Sequence, residues 1–136
     1  MEIAQLCDLV EPPILADLNG SAFAGDWINC NSDTTSIARL TIAESGGKFL
    51  MRVFGIGPER LIEWGEAELT IFSSSPSSST PSGFTCEYDF GFAETEIKGM
   101  IMKGLLVLAQ FHRFKDDSNR ADYFVREYFA LIHGKF

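Results

Sequence analysis

Positive charge is scarce in this chain: 11 Lys+Arg stand against 19 Asp+Glu, a formal charge of -8. Its mean field therefore repels phosphate polyanions and anionic membrane surfaces, and nucleic acid is not an expected partner. Cysteine is scarce as well. Cys7, Cys30 and Cys86 are odd in number, have no CxxC spacing and no paired histidine signature, so free buried thiols are expected and a zinc site is not. Long apolar runs are missing, which excludes a membrane-spanning helix. The first residues, Met1-Glu2-Ile3-Ala4-Gln5-Leu6-Cys7-Asp8, carry acid where a secretion signal needs base, and a cytoplasmic location is expected. Also missing are GxSxG, HExxH and any glycine-rich phosphate loop after a strand. No cofactor is expected.

What the chain does have is apolar and aromatic material: 46% hydrophobic residues, with twelve phenylalanines among 136 residues. That is one domain's length, enough to bury a core without staples. It is also more aromatic surface than the outer face of an ordinary sheet needs, so some is expected to line a cavity or a subunit contact.

Residues 1–24 form a leader. Ile3, Leu6, Leu9 and Val10 are spaced for one or two helical turns, and Pro12-Pro13 ends them. The leader could plug a barrel, pack outside it or mediate dimerisation. From Gly25-Asp26-Trp27 onward, short runs alternate with turn residues. Ser36 to Glu44 and Phe49 to Phe54 flank Gly46-Gly47, whose glycines accept the positive φ of a hairpin turn. Leu61 to Phe72 reads as one longer strand that Gly65 bends or bulges. Residues 73–83, SSSPSSSTPSG, have no apolar residue to bury and read as a mobile loop. Phe84, Cys86, Tyr88, Phe90 and Phe92 alternate with smaller or polar residues, and Ile97 to Met102, Leu105 to Phe114 and Tyr123 to Ile132 complete about eight strands.

No long helix interrupts this series, so sequential neighbours must pair antiparallel. The expected fold is all-β: an up-and-down barrel of about eight strands over residues 25–136, preceded by the short helical leader. An open sandwich is the alternative.

At this point the chain resembles the calycin superfamily of lipocalins, fatty-acid-binding proteins and avidins. Gly25-Asp26-Trp27 resembles the lipocalin GxW motif, hairpin-joined strands follow it, and Arg126 on the last strand is placed like the arginine that packs across that tryptophan. The chain is also similar to small bacterial lipocalin-like proteins of unassigned role, through Phe54-Gly55, Trp64-Gly65-Glu66 and Asn119-Arg120-Ala121-Asp122-Tyr123-Phe124. The resemblance implies the barrel, with Gly25, Trp27 and Arg126 as its closure. It implies no activity, and without a signal peptide or cysteine pair it does not extend to secreted transport.

Polar residues inside strands must be exposed, paired or turned into a cavity. Arg52 beside Leu50 and Phe54 is the expected anchor for a carboxylate or enolate, unless it extends outward along its aromatic neighbours. Trp64, Tyr88, Phe90 and Phe54 are the expected cavity wall, with Gln110 and Tyr128 as further ligand contacts. His112 is a candidate general base if Glu66 lies across the barrel. The leading functional reading is binding of a small apolar or amphipathic molecule in the lumen. The second is a cofactor-free isomerase or cyclase of a secondary metabolite in the same cavity. The third is an oligomeric interaction module, a dimer first, with a filled lumen.

Overall fold

The computed structural model describes residues 19–133. The helical spacing at Ile3 to Val10 and the cysteine Cys7 lie outside the described residues. The described elements are a 3-10 turn, Gly20–Phe23, and nine strands: β1 Gly25–Asn29, β2 Ile37–Ser45, β3 Lys48–Gly55, β4 Ile62–Glu68, β5 Thr70–Ser73, β6 Pro81–Asp89, β7 Ala93–Met102, β8 Leu105–Phe114 and β9 Tyr123–Leu131. All pair antiparallel in one sheet of order β4-β3-β2-β1-β9-β8-β7-β6-β5. Gly46 and Gly47 sit at φ 60° and 81° between β2 and β3, as a primed turn requires.

The expected long strand Leu61 to Phe72 is two strands. The strand breaks at Leu69, whose N–H still donates to the Phe49 carbonyl at 2.8 Å, and beyond it the partner changes: β4 pairs with β3 while β5 pairs with β6. Because β4 and β5 are successive parts of one run at opposite edges of the sheet, this change of partner curls the sheet into a nearly closed barrel. Tyr88 on β6 spans the remaining seam, its hydroxyl lying 3.0 Å from the Met51 carbonyl and 3.1 Å from that of Gly65. The serine-rich connection is shorter than expected, since β5 runs to Ser73 and β6 begins at Pro81.

One end of the lumen is packed solid. Phe23, Trp27, Leu40, Met51, Phe84, Leu106, Leu108 and Phe129 are buried together there. The 3-10 turn caps this end. Phe23 meets Phe84 edge-on at 5.0 Å between ring centroids, and the Trp27 indole donates to the Phe23 carbonyl at 2.9 Å. Gly25 has φ 139°, a conformation that side-chain-bearing residues rarely adopt, and the Leu131 side chain packs against it, so glycine opens the strand.

The expected closure by Trp27 and Arg126 is corrected. Trp27 lies opposite Leu131 of β9, whereas Arg126 lies on the outer face with its guanidinium 5.8 Å from the Tyr128 ring. Glu127 and Phe129, one residue out of step with Arg126, are the inward positions, because strand side chains alternate.

Candidate functional site

The other end of the lumen is open. A cavity of about 450 Å³ lies there, walled by Trp64, Phe90, Phe92, Phe114 and Tyr123, with Ser36, Ala93, Thr95 and His112 also lining it and Glu63 at its edge. Its size and aromatic walls are those of a small-molecule site. Trp64 organises the wall: its ring is edge-on to Tyr88 at 5.7 Å, to Phe90 at 5.3 Å and to His112 at 6.5 Å.

Trp64 reaches the lumen because of a bulge. The β3–β4 register shifts between Val53 and Phe54, so Trp64 is the extra residue, beside Gly65 at φ 95°. Gly55 makes room for the indole; a Cβ there would approach the Trp64 Nε1 at 2.5 Å.

Beneath the aromatic wall runs a chain of buried polar groups. Thr95 Oγ1 lies 2.8 Å from His112 Nδ1, and His112 Nε2 lies 3.2 Å from Gln110 Oε1. Gln110 Nε2 donates to Glu127 Oε1 at 2.9 Å. Asn29 and Thr34 each donate to Glu127 Oε2 at 2.6 Å, and Ser36 donates to Gln110 Oε1 at 3.2 Å. These groups come from β1, the β1–β2 connection, β7, β8 and β9, so the network exists only once the barrel has closed. His112 is also stacked on Tyr123 at 4.3 Å.

Burial alone would raise the Glu127 carboxyl, but hydrogen bonds from Thr34, Gln110 and Asn29 outweigh it and hold the group below its ordinary value. His112 is held below its ordinary value by burial, with the negative charge of Glu127 opposing. A folded value below the unfolded one means that protonation favours the unfolded chain. The stability His112 contributes is therefore complete above about pH 6.5, the unfolded value, and is lost as pH falls through the folded value. Urea unfolding between about pH 7.5 and 5.5 is expected to show a falling midpoint in the wild type and a shallower fall in His112→Gln. Equal slopes would show that His112 is not the responsible group.

Of the residues expected at a site, the structure brings Trp64, Tyr88, Phe90, Gln110 and His112 together. Arg52, Phe54, Glu66 and Tyr128 belong instead to the outer face. Arg52 pairs with Glu63 at 3.0 Å and with Glu66, and the Glu66 hydrogen bond followed by the Glu63 charge raises its guanidinium. Phe54 lies under Arg39, whose guanidinium is 4.7 Å from its ring. The reason is one of parity: β3 has apolar residues on both faces, and Phe49, Met51, Val53 and Gly55 are the buried set. Glu66, on the far side of the Trp64 bulge, cannot serve His112 as a carboxylate partner; Glu127 occupies that place through Gln110.

Asn29, Thr34, Ser36, Thr95 and Glu127 are site residues that the sequence does not single out. Three carry a parity signal: Asn29 is two residues from buried Trp27, Thr95 two from Ile97 and Glu127 two from Phe129. Among the described residues no group of His, Cys, Asp and Glu could hold a metal ion, and no helix is long and apolar enough to cross a membrane. Cys86 is buried beside Met51, and burial pushes its thiol up to about 12, so it is chemically quiet at neutral pH.

The fold and cavity define an antiparallel β-barrel with one filled and one open end. No protein-family model, no curated protein and no solved structure matches the chain.

Proposed function

We propose that this is a lipocalin-like barrel that binds a small, largely apolar molecule in the open half of its lumen. One observation carries the reading: an aromatic cavity of about 450 Å³ ends on a fully hydrogen-bonded polar floor. Apolar walls supply burial and a few fixed polar groups supply orientation, which is the usual division of labour in such sites. The lipocalin likeness draws support from Gly25-Asp26-Trp27 on the first strand and is weakened by the outward Arg126. Trp64, Phe90 and Tyr123 form the wall, Thr95 and His112 the floor, and Tyr88 holds the seam.

Native mass spectrometry of the protein purified from its own source tests this. A small molecule is expected to travel with the wild type and to be lost from Ala93→Phe, which fills the cavity. Identical ligand-free masses would count against the reading.

A second reading is favoured by the His112 environment. His112 lines the cavity, its Nε2 is backed by the Gln110 amide and the Glu127 carboxylate, and its Nδ1 faces the Thr95 hydroxyl, so a base acting through that hydroxyl would suit a cofactor-free isomerase or cyclase. The exposed Met100, Met102, Phe124 and Tyr128 on the outer face of β7 to β9 favour association of two copies there, which sedimentation would read.

A further inference from the structure

The direction of every hydrogen bond in the floor follows from its far end. Glu127 receives three donors on its two oxygens, from Gln110, Asn29 and Thr34, which is the pattern of a carboxylate. Gln110 must then turn its NH2 to Glu127, because its carbonyl would be repelled there. The Asn29 amide is fixed independently, since its oxygen accepts from the Asn31 backbone N–H at 2.8 Å. With the Gln110 carbonyl facing His112, the proton of the neutral imidazole sits on Nε2. Nδ1 then has only a lone pair, so the Thr95 hydroxyl donates to it. The Ser36 hydroxyl is likewise committed inward, to Gln110.

The consequence lies on the cavity side. At the floor, Thr95 and Ser36 are hydroxyls with their protons already used, leaving only acceptor lone pairs, whereas the Thr35 and Tyr123 hydroxyls and the Trp64 indole N–H, which also line the cavity, can donate. Among the described residues that line the cavity there is no lysine or arginine, and Glu63 at its edge is paired with Arg52 at 3.0 Å. Arg120, whose guanidinium lies 4.2 Å from the Phe114 ring centroid and 5.3 Å from that of Phe92, is paired with Asp116 at 2.9 Å. Resting on the binding reading above, we infer that the floor of the cavity engages an uncharged apolar molecule through a hydroxyl or N–H donor, in preference to the corresponding ether or carboxylate.

Three probes of one shape separate the possibilities: 2-naphthol, 2-methoxynaphthalene and 2-naphthoate, each titrated against tryptophan fluorescence at neutral pH. The naphthol is expected to bind about tenfold more tightly than the ether, equivalent to about 1.4 kcal/mol, and the carboxylate more weakly than either. In Thr95→Val the preference for naphthol over the ether is expected to fall several-fold, with Thr95→Ser restoring it. Should Thr95→Val fail to fold, the wild-type series still decides, together with the imidazole 15N spectrum of His112. That spectrum is expected to show the neutral Nε2–H form; an Nδ1–H form overturns the proton order and with it the inference. Equal affinity for all three probes, or a preference for naphthoate, overturns the inference while leaving the binding reading standing. Failure of all three to bind at up to about 1 mM overturns both.

Discussion

Phe84→Ala is expected to cost about 3–5 kcal/mol of stability, the largest effect of any single side-chain truncation considered for this barrel. Phe84 is 2% exposed, packs on Phe23 and fills the floor of the closed end. Its ring fits because Gly99, opposite it on β7, has no side chain; a Cβ there would come within 2.2 Å of the ring. The two positions are therefore coupled. Gly99→Ala alone is expected to cost about 1–3 kcal/mol by overpacking, and less in a Phe84→Leu background, where the clashing atom is gone. Denaturant midpoints for the two single variants and the double variant check this. Strict additivity would show that the ring and the glycine do not share that space.

Glu127→Ala is expected to cost about 2–3 kcal/mol, through stranded donors rather than a lost cavity wall. Each buried donor left without an acceptor costs about 1–3 kcal/mol. Gln110 is fully buried and bears that cost, whereas Thr34 is only half-buried and can turn to water, which limits the total. Glu127→Gln is expected to cost about half as much, since a carbonyl oxygen remains to accept while the new NH2 faces a donor. Removing the charge also removes the force that orders the protons. His112 is then expected to fall further below its ordinary value, since Glu127 is the group that raises it. An unfolding midpoint unchanged in Glu127→Ala, at an unchanged denaturant slope, would show that the carboxylate does not organise the floor.

Much of the barrel is legible in the residues. The Gly46-Gly47 hairpin, the alternation of Phe84, Cys86 and Tyr88, and a bulge beside Gly65 appear as read, whereas Phe90 and Phe92 follow the strand's end at Asp89. These are local signals, set by backbone sterics and a period of two. What was not legible is the choice between faces. On β3, Leu50, Arg52 and Phe54 are as apolar in their stems as Phe49, Met51 and Val53, so alternation alone does not say which set turns inward. On β4 the bulge places Trp64 in the lumen and Glu66 outside, although the two share sequence parity. On β9 the lipocalin likeness points to Arg126, whereas the polar floor depends on its neighbour Glu127. Thr34, Ser36 and Thr95 carry no chemical signature of their own; they become a site only when strands distant in sequence bring them to His112 and Glu127.

The two tryptophans provide the most direct test of where a ligand binds. Trp64 forms a wall of the open cavity, while the Trp27 indole is sealed at the filled end against the Phe23 carbonyl. Their two indole N–H resonances can be followed together as 2-naphthol is added to the 15N-labelled protein. A saturable shift of the Trp64 signal is expected, with that of Trp27 unmoved. A Trp64 signal that stays in place, or a Trp27 signal that moves with it to the same extent, would contradict binding at the open end.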